Sequence, residues 1–201
     1  MIKFDNVCVR FGKNAVIDRL SFEFEEGKVT AITGGSGVGK TTLLDLIAGL
    51  NKATDGQIIT EHGRLSYIFQ EPRLFPWLTS LQNVSTVSDG DTAKEMLSLM
   101  GLSDDLDKYP SELSGGMRQR VSIARALAYK PDVILMDEPF ASLDPERREA
   151  VADIVFGMLK GKTAIIVTHD TCDLKYADTG LKLTEAPDSE LIRVHLDGGK
   201  K

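Results

Sequence analysis

The sequence predicts an α/β fold, built on a parallel sheet with helices on both faces, an antiparallel β subdomain and a short helical subdomain. Three observations carry that prediction. Apolar runs rich in β-branched residues, KVTAIT (28–33), VILM (133–136) and TAIIVT (163–168), alternate with amphipathic helical segments. Strands that read apolar on both faces belong to parallel sheets covered on both sides. LSFEFEEG instead alternates, with Leu20, Phe22 and Phe24 on one face and Ser21, Glu23 and Glu25 on the other, the pattern of a half-buried antiparallel strand. From Leu81 to Tyr109, turn-forming polar stretches (SDGD, SDDLDK) flank one helical run in which Ala93, Met96, Leu97 and Met100 share a face.

Taken in order, KVTAIT ends in a glycine-rich turn, and TTLLDLIAGL then has helical apolar spacing closed by Gly49. QIIT and SYIF read as two short strands. EPRLFPWLTS, Glu71 to Ser80, holds the single tryptophan and two prolines, which disfavour helix and central strand, so it reads as a shaped loop. A helix is expected from Ser114 towards Tyr129, and another over ERREAVADIVFGMLK with Val151, Ile154, Val155, Met158 and Leu159 on one stripe. No internal repeat or low-complexity segment interrupts this order. The expected organisation is one domain over 1–201, with a core from 1–70 and 131–201 that carries the β subdomain, and a helical subdomain over 71–130.

At 201 residues the chain suits a single core, able to bury roughly 70% of its unfolded surface. It is 42% hydrophobic and 27% charged, with net charge −6 and pI about 5.1. Basic residues form no block apart from the last two lysines, which disfavours nucleic acid and an anionic membrane surface as direct partners. MIKFDNVCVR lacks the apolar centre of a signal peptide, and no apolar run approaches membrane-spanning length. Cys8 and Cys172 lie far apart and match no metal-ligand spacing, as expected of two reduced thiols. His62 and His195 carry no motif and read as structural.

GGSGVGKT, Gly34 to Thr41, fits the pattern G-x-x-x-x-G-K-[S/T] between a predicted strand and a predicted helix, the context that motif requires. Its glycines let backbone N–H groups wrap phosphates, aided by the helix N-terminus. Lys40 is expected to reach the β- and γ-phosphates and the Thr41 hydroxyl to join a Mg²⁺ shell. VILMDEP then places two carboxylates at a strand end. Asp137 can orient the ion through water, and Glu138 can accept a proton from an attacking water. LSGGMRQR, Leu113 to Arg120, supplies a second anion-ready helix start: Ser114 as N-cap, with Gly115 and Gly116 leaving the first N–H groups open. A second phosphate-accepting helix with one lysine-bearing phosphate loop points to a nucleotide held by another copy.

On these residues the chain resembles the ATP-binding subunits of ABC transporters over essentially its whole length. GGSGVGKT resembles the Walker A loop, VILMDE the Walker B strand and LSGGM the family signature. Gln70 falls at the Q-loop, Ser142 to Asp144 at the D-loop and His169 at the switch histidine. Phe11 stands at the position that stacks on adenine, with plain core as its other reading. The resemblance implies a P-loop NTPase core that binds ATP and Mg²⁺ and forms a head-to-tail homodimer on ATP binding. Walker A (Gly34, Gly35, Ser36, Gly37, Val38, Gly39, Lys40, Thr41 and Thr42) would face Ser114, Gly115 and Gly116 of the other copy. Thr41, Gln70 and Asp137 would hold the metal. Glu138, His169, Gln70 and Lys40 would carry hydrolysis, and Asp144 would communicate across the dimer.

EPRLFPWLTSLQNV is similar to importer subunits of the nitrate, sulfonate and taurine group. There the segment after the Q-loop borders a groove for a short permease helix, at the cytoplasmic face of the cell membrane, with an external solute-binding protein completing the system. Trp77 fits either that contact or inward packing on the helical subdomain. Export by a similar two-part system, or a soluble ATPase acting on a non-membrane scaffold, are the other functional readings. The sequence also departs from the family: the helical insertion is short, and Asp173 and Leu174 stand where Glu-Ala is usual after the switch histidine.

Overall fold

The structure is a computed structural model that describes residues 1–194 and Leu196, so His195 lies outside the described residues. In chain order the strands are β1 (Ile2–Phe11), β2 (Asn14–Phe24), β3 (Val29–Thr33), β4 (Asp55–Thr60), β5 (Leu65–Ile68), β6 (Val133–Asp137), β7 (Thr163–Val167), β8 (Thr179–Leu183) and β9 (Leu191–Val194). The helices are α1 (Lys40–Ile47), α2 (Ser80–Ser85), α3 (Gly90–Leu99), α4 (Gly115–Ala128), α5 (Pro145–Met158) and α6 (Thr171–Leu174).

Two sheets result. Strands β2-β1-β4 form a three-stranded antiparallel sheet, and β5-β6-β7-β3-β8-β9 a six-stranded sheet that is parallel except for the β8–β9 pair. The alternation in LSFEFEEG holds: Leu20 and Phe24 are buried, Phe22 half-buried, and Ser21, Glu23 and Glu25 exposed. Phe24 meets Phe4 edge to face at 6.1 Å across the small sheet. In the large sheet β6 and β7 are buried at every position. Successive residues feed opposite layers, as strand geometry requires. Ile134, Met136, Ala164 and Ile166 pack towards α3, α4 and α5, whereas Val133, Leu135, Ile165 and Val167 pack towards α1 and the antiparallel sheet.

The helical region is richer than its polar sequence suggests. Besides α3 it contains α2, which Thr79 starts by accepting from Gln82 N while Gln82 returns a bond to Thr79 N, a capping box. Proline density just upstream hides this helix from a sequence reading. Asp89 caps α3, and Ala93, Met96, Leu97 and Met100 are all buried against α2 and α4. In α5 the stripe is rotated from expectation. Met158 is 40% exposed, and Ala152 and Phe156 join Val151, Val155 and Leu159 in the core. The cause is a partner remote in sequence: Phe156 stacks on Tyr176 at 4.5 Å.

Because Leu97 is fully buried, Leu97→Ala should cost about 2–5 kcal/mol in chemical denaturation. A loss below about 1 kcal/mol would show that α3 collapses onto the void.

Candidate functional site

The phosphate loop runs from the end of β3 to the first turn of α1, and its glycines are required sterically. Gly34, Gly37 and Gly39 have φ of +148°, +78° and +107°. A Cβ on Gly39 would lie 2.9 Å from Val16 Cγ1, and one on Gly34 would lie 2.9 Å from the Leu183 carbonyl oxygen. Val38 is buried beneath the loop, while Gly35, Ser36 and Gly37 are exposed. Lys40 is 6% exposed, and its Nζ donates to the carbonyls of Gly34 and Gly35 at 3.0 and 2.7 Å. Burial lowers the Lys40 pKa, with Glu138 and Asp137 acting against that shift.

The sheet order β6-β7-β3 brings the carboxylate strand to the same edge as this loop. Thr41 Oγ1 donates to Asp137 Oδ2 at 2.7 Å. Asp137 is nearly enclosed, and burial raises its pKa despite the Thr41 hydroxyl. Glu138 turns out of β6 at φ +46°, fixed by its N–H donating to the Val167 carbonyl at 2.9 Å. Its Oε1 lies 2.5 Å from His169 Nε2. A cleft of about 370 Å³ is lined by Val16, Ser36, Gly37, Gly39, Lys40, Thr41, Thr42, Gln70, Glu138 and His169. The site thus gathers an ammonium, a hydroxyl, an amide, a carboxylate and an imidazole around one cavity.

Other expected residues lie apart from this cleft. Phe11 ends β1 and is 55% exposed, so it is not core, and it does not line the cleft. Ser114 does cap α4, accepting from Met117 N at 3.2 Å. Gly115 has open space where a Cβ would stand, whereas a Cβ on Gly116 would meet the Ser142 carbonyl at 3.1 Å. Neither these glycines nor Ser114 lines the cleft of the same chain. Asp144 caps α5 by accepting from Arg147 N at 3.0 Å. Asp173, at the departure from the family pattern, is 3% exposed and paired with Arg148.

The loop from Glu71 to Ser80 is divided in role. Leu74 packs on the core, while Trp77 is 69% and Phe75 41% exposed, their rings 5.7 Å apart. Fully buried Asn83 shapes the loop: its Oδ1 accepts from Phe75 N at 2.8 Å, and its Nδ2 donates to the carbonyls of Phe75, Leu78 and Thr79. Beside it lies a groove of about 380 Å³ lined by Ala48, Leu50, Tyr67, Phe69, Val87, Arg125 and Tyr129 among others. Arg125 joins the two features, donating to the Arg73 carbonyl at 2.6 Å and lying 5.7 Å from the Phe75 ring centre. Sequence reasoning missed Asn83 and Val16. Asn83 could have been found as a polar residue on the apolar side of α2, whereas nothing local marks Val16.

Gly39→Ala should weaken ATP binding at least about tenfold in a titration, because strain of about 1–3 kcal/mol falls on the loop itself. Wild-type affinity in that variant would show that the loop can shift away from Val16.

Known proteins resemble the chain over most of its length. The family described as "ABC transporter" matches residues 17–141. The chain is 36% identical to the aliphatic sulfonates import ATP-binding protein of Bacillus cereus, over 96% of this chain and 84% of that protein. It is 38% identical to the protein of the same description from Bacillus subtilis, over 92% and 79%. With the bicarbonate transport ATP-binding protein of Synechocystis it shares 36% identity, over 90% and 71%. Among solved structures, a dimeric post-hydrolysis state of an ATP-binding cassette bound to ADP and Pi superposes with a TM-score of 0.87. That pair shares 29% identity, covering 98% of this chain and all of the other.

Proposed function

The chain belongs to the ABC transporter family as an ATP-hydrolysing subunit, and on that premise we propose that it powers solute import through a separate membrane permease at the cytoplasmic face of the cell membrane. Among the described residues no helix is long and apolar enough to cross a membrane, so on this reading the permease supplies the membrane anchor. The named relatives move sulfonates and bicarbonate, which favours a small anion as the solute. On this reading solute choice would lie with the permease and an external binding protein.

The observation that carries the reading is the convergence of Lys40, Thr41, Gln70, Glu138 and His169 on one cleft. Lys40 would neutralise β- and γ-phosphate charge while the loop's N–H groups wrap them. The Thr41 hydroxyl, the Gln70 amide oxygen and the Asp137 carboxylate are hard oxygen donors that fit Mg²⁺. Such an ion would share its shell with phosphate and water. Bound there, the ion would offset charge on the transferring phosphate. Glu138 would take the proton of the attacking water, and His169, 2.5 Å away, would hold that carboxylate and face the γ-phosphate. Phe11, exposed beyond the cleft, would stack on adenine.

The signature helix start completes the proposal. Ser114 and Gly115 are exposed, Gly116 abuts the Ser142 carbonyl, and none of the three lines the cleft of its own chain, which supports a head-to-tail dimer in which this helix start closes on the other copy's ATP. The groove that Arg125 links to Phe75 would receive the permease helix: it is partly apolar, lined by Arg125, and includes Phe69, the residue before Gln70. We also propose that 71–130 moves as one unit, linking that groove to the signature.

Glu138→Gln should lower turnover by about 10²–10⁴ while an ATP-bound dimer accumulates on size exclusion. Near wild-type hydrolysis would remove Glu138 from the base role. Trp77→Ala should weaken co-purification of the permease about tenfold or more, with an unchanged melting temperature because the ring is largely solvent-exposed. A marked drop in melting temperature, with the permease still bound, would assign Trp77 to packing.

A further inference from the structure

The segment after His169 is clasped by the helix that follows Asp144. Arg148, in the first turn of α5, pairs with Asp170, and its Nη2 donates to both carboxylate oxygens of Asp173 at 2.9 and 3.0 Å. The contact is shielded: the Arg148 side chain is 22% exposed and that of Asp173 is 4%. Asp173 Oδ2 also accepts from Thr168 Oγ1 at 2.5 Å, and Thr168 Oγ1 accepts from the Asp170 N–H at 3.0 Å. His169 therefore sits between two residues that lead back to one guanidinium. A guanidinium donates in a fixed planar fork, so it conveys orientation as well as charge.

Two further links run along α5 in the same direction. Glu149 pairs with Lys175, and Asp153 accepts from the Tyr176 hydroxyl at 2.6 Å. At its other end α5 begins from Asp144, next to Ser142, whose carbonyl closes on Gly116 of the signature. The turn leading into α5 thus lies against the signature start, while the helix itself flanks the histidine segment.

We propose that Arg148 is a positioning residue: through Asp170, Asp173 and Thr168 it fixes His169 against Glu138, and it passes displacements of the Ser142–Asp144 turn to that pair. A shift of α5 moves the fork, and the fork moves both residues flanking the imidazole. This rests on the reading of His169 and Glu138 as the groups facing the γ-phosphate.

The test combines steady-state ATPase kinetics with the NMR resonance of the His169 imidazole, assigned by its loss in His169→Ala. Arg148→Met should lower kcat about ten- to a hundredfold, leave KM for ATP within about twofold, and shift the His169 resonance. Arg148→Lys, which keeps charge without the fork, should recover part of each change. An unchanged kcat, or a lowered kcat with the His169 resonance of the wild type, overturns the proposal. If Arg148→Met fails to fold, Asp173→Asn tests the same link at nearly constant volume, and an unmoved His169 resonance in that variant overturns it equally. Full turnover by His169→Ala would overturn the functional reading instead, and the spectroscopic link would still be decided on its own.

Discussion

The hydrogen bond from Thr41 to Asp137 joins the first turn of α1 to the end of β6, and the rest of the site depends on it. It can form only because β3 and β6 deliver their chains to the same edge of the parallel sheet, with β7 between them. That order puts three loops side by side: the phosphate loop after β3, Glu138 after β6 and His169 after β7. Parallel strands impose this arrangement, since each must be followed by a crossover that leaves its carboxyl end free. Burial of Asp137 reinforces it. A carboxylate with so little water contact needs the Thr41 hydroxyl, so the helix cannot drift from the strand without leaving it unpaired.

A second strut ties the signature helix to the same edge. Gln119 of α4 is 1% exposed and donates from Nε2 to the carbonyls of Phe69, at 3.3 Å, and Pro139, at 3.0 Å. Those residues adjoin Gln70 and Glu138. Two carbonyl acceptors fix which end of the amide faces them, leaving Oε1 buried with no partner among the described residues, at a cost of about 1–3 kcal/mol. The same side chain therefore binds α4 to both cleft loops, and α4 cannot rotate without disturbing one of them.

The strands that read apolar on both faces, the phosphate loop and the capped signature helix were legible because their signals are local. Gly39 announces its need for positive φ through the motif alone, and Ser114 its cap through the residue type. What was hidden depended on distant partners. Met158 lies on the predicted stripe, yet Phe156 is taken into the core by Tyr176 twenty positions later. Helix α2 is masked by prolines that end just before its cap. The exposure of Trp77 is set by Asn83, whose four hydrogen bonds hold the loop in a shape no periodicity encodes. The Arg148 fork joins residues 22 and 25 positions apart.

These links bear on why one chain would be half of a machine. Within the chain, the cleft holds an ammonium and a carboxylate, whereas Ser114, Gly115 and Gly116 at the start of α4 do not line it and present an anion-ready helix terminus. In the proposed dimer the nucleotide's phosphates satisfy both, so closure draws its free energy from ligand rather than from apolar contact between subunits. That makes closure reversible: once the phosphate is cleaved and leaves, the attraction across the interface falls with the charge that was lost. Gln119 and Arg148 would then report the change in opposite directions. Gln119 leads from the cleft through α4 towards the groove beside Phe75. Arg148 would lead from the Ser142–Asp144 turn back to His169, so in the proposed dimer a second copy closing on that turn would also act on the histidine of the chain it touches.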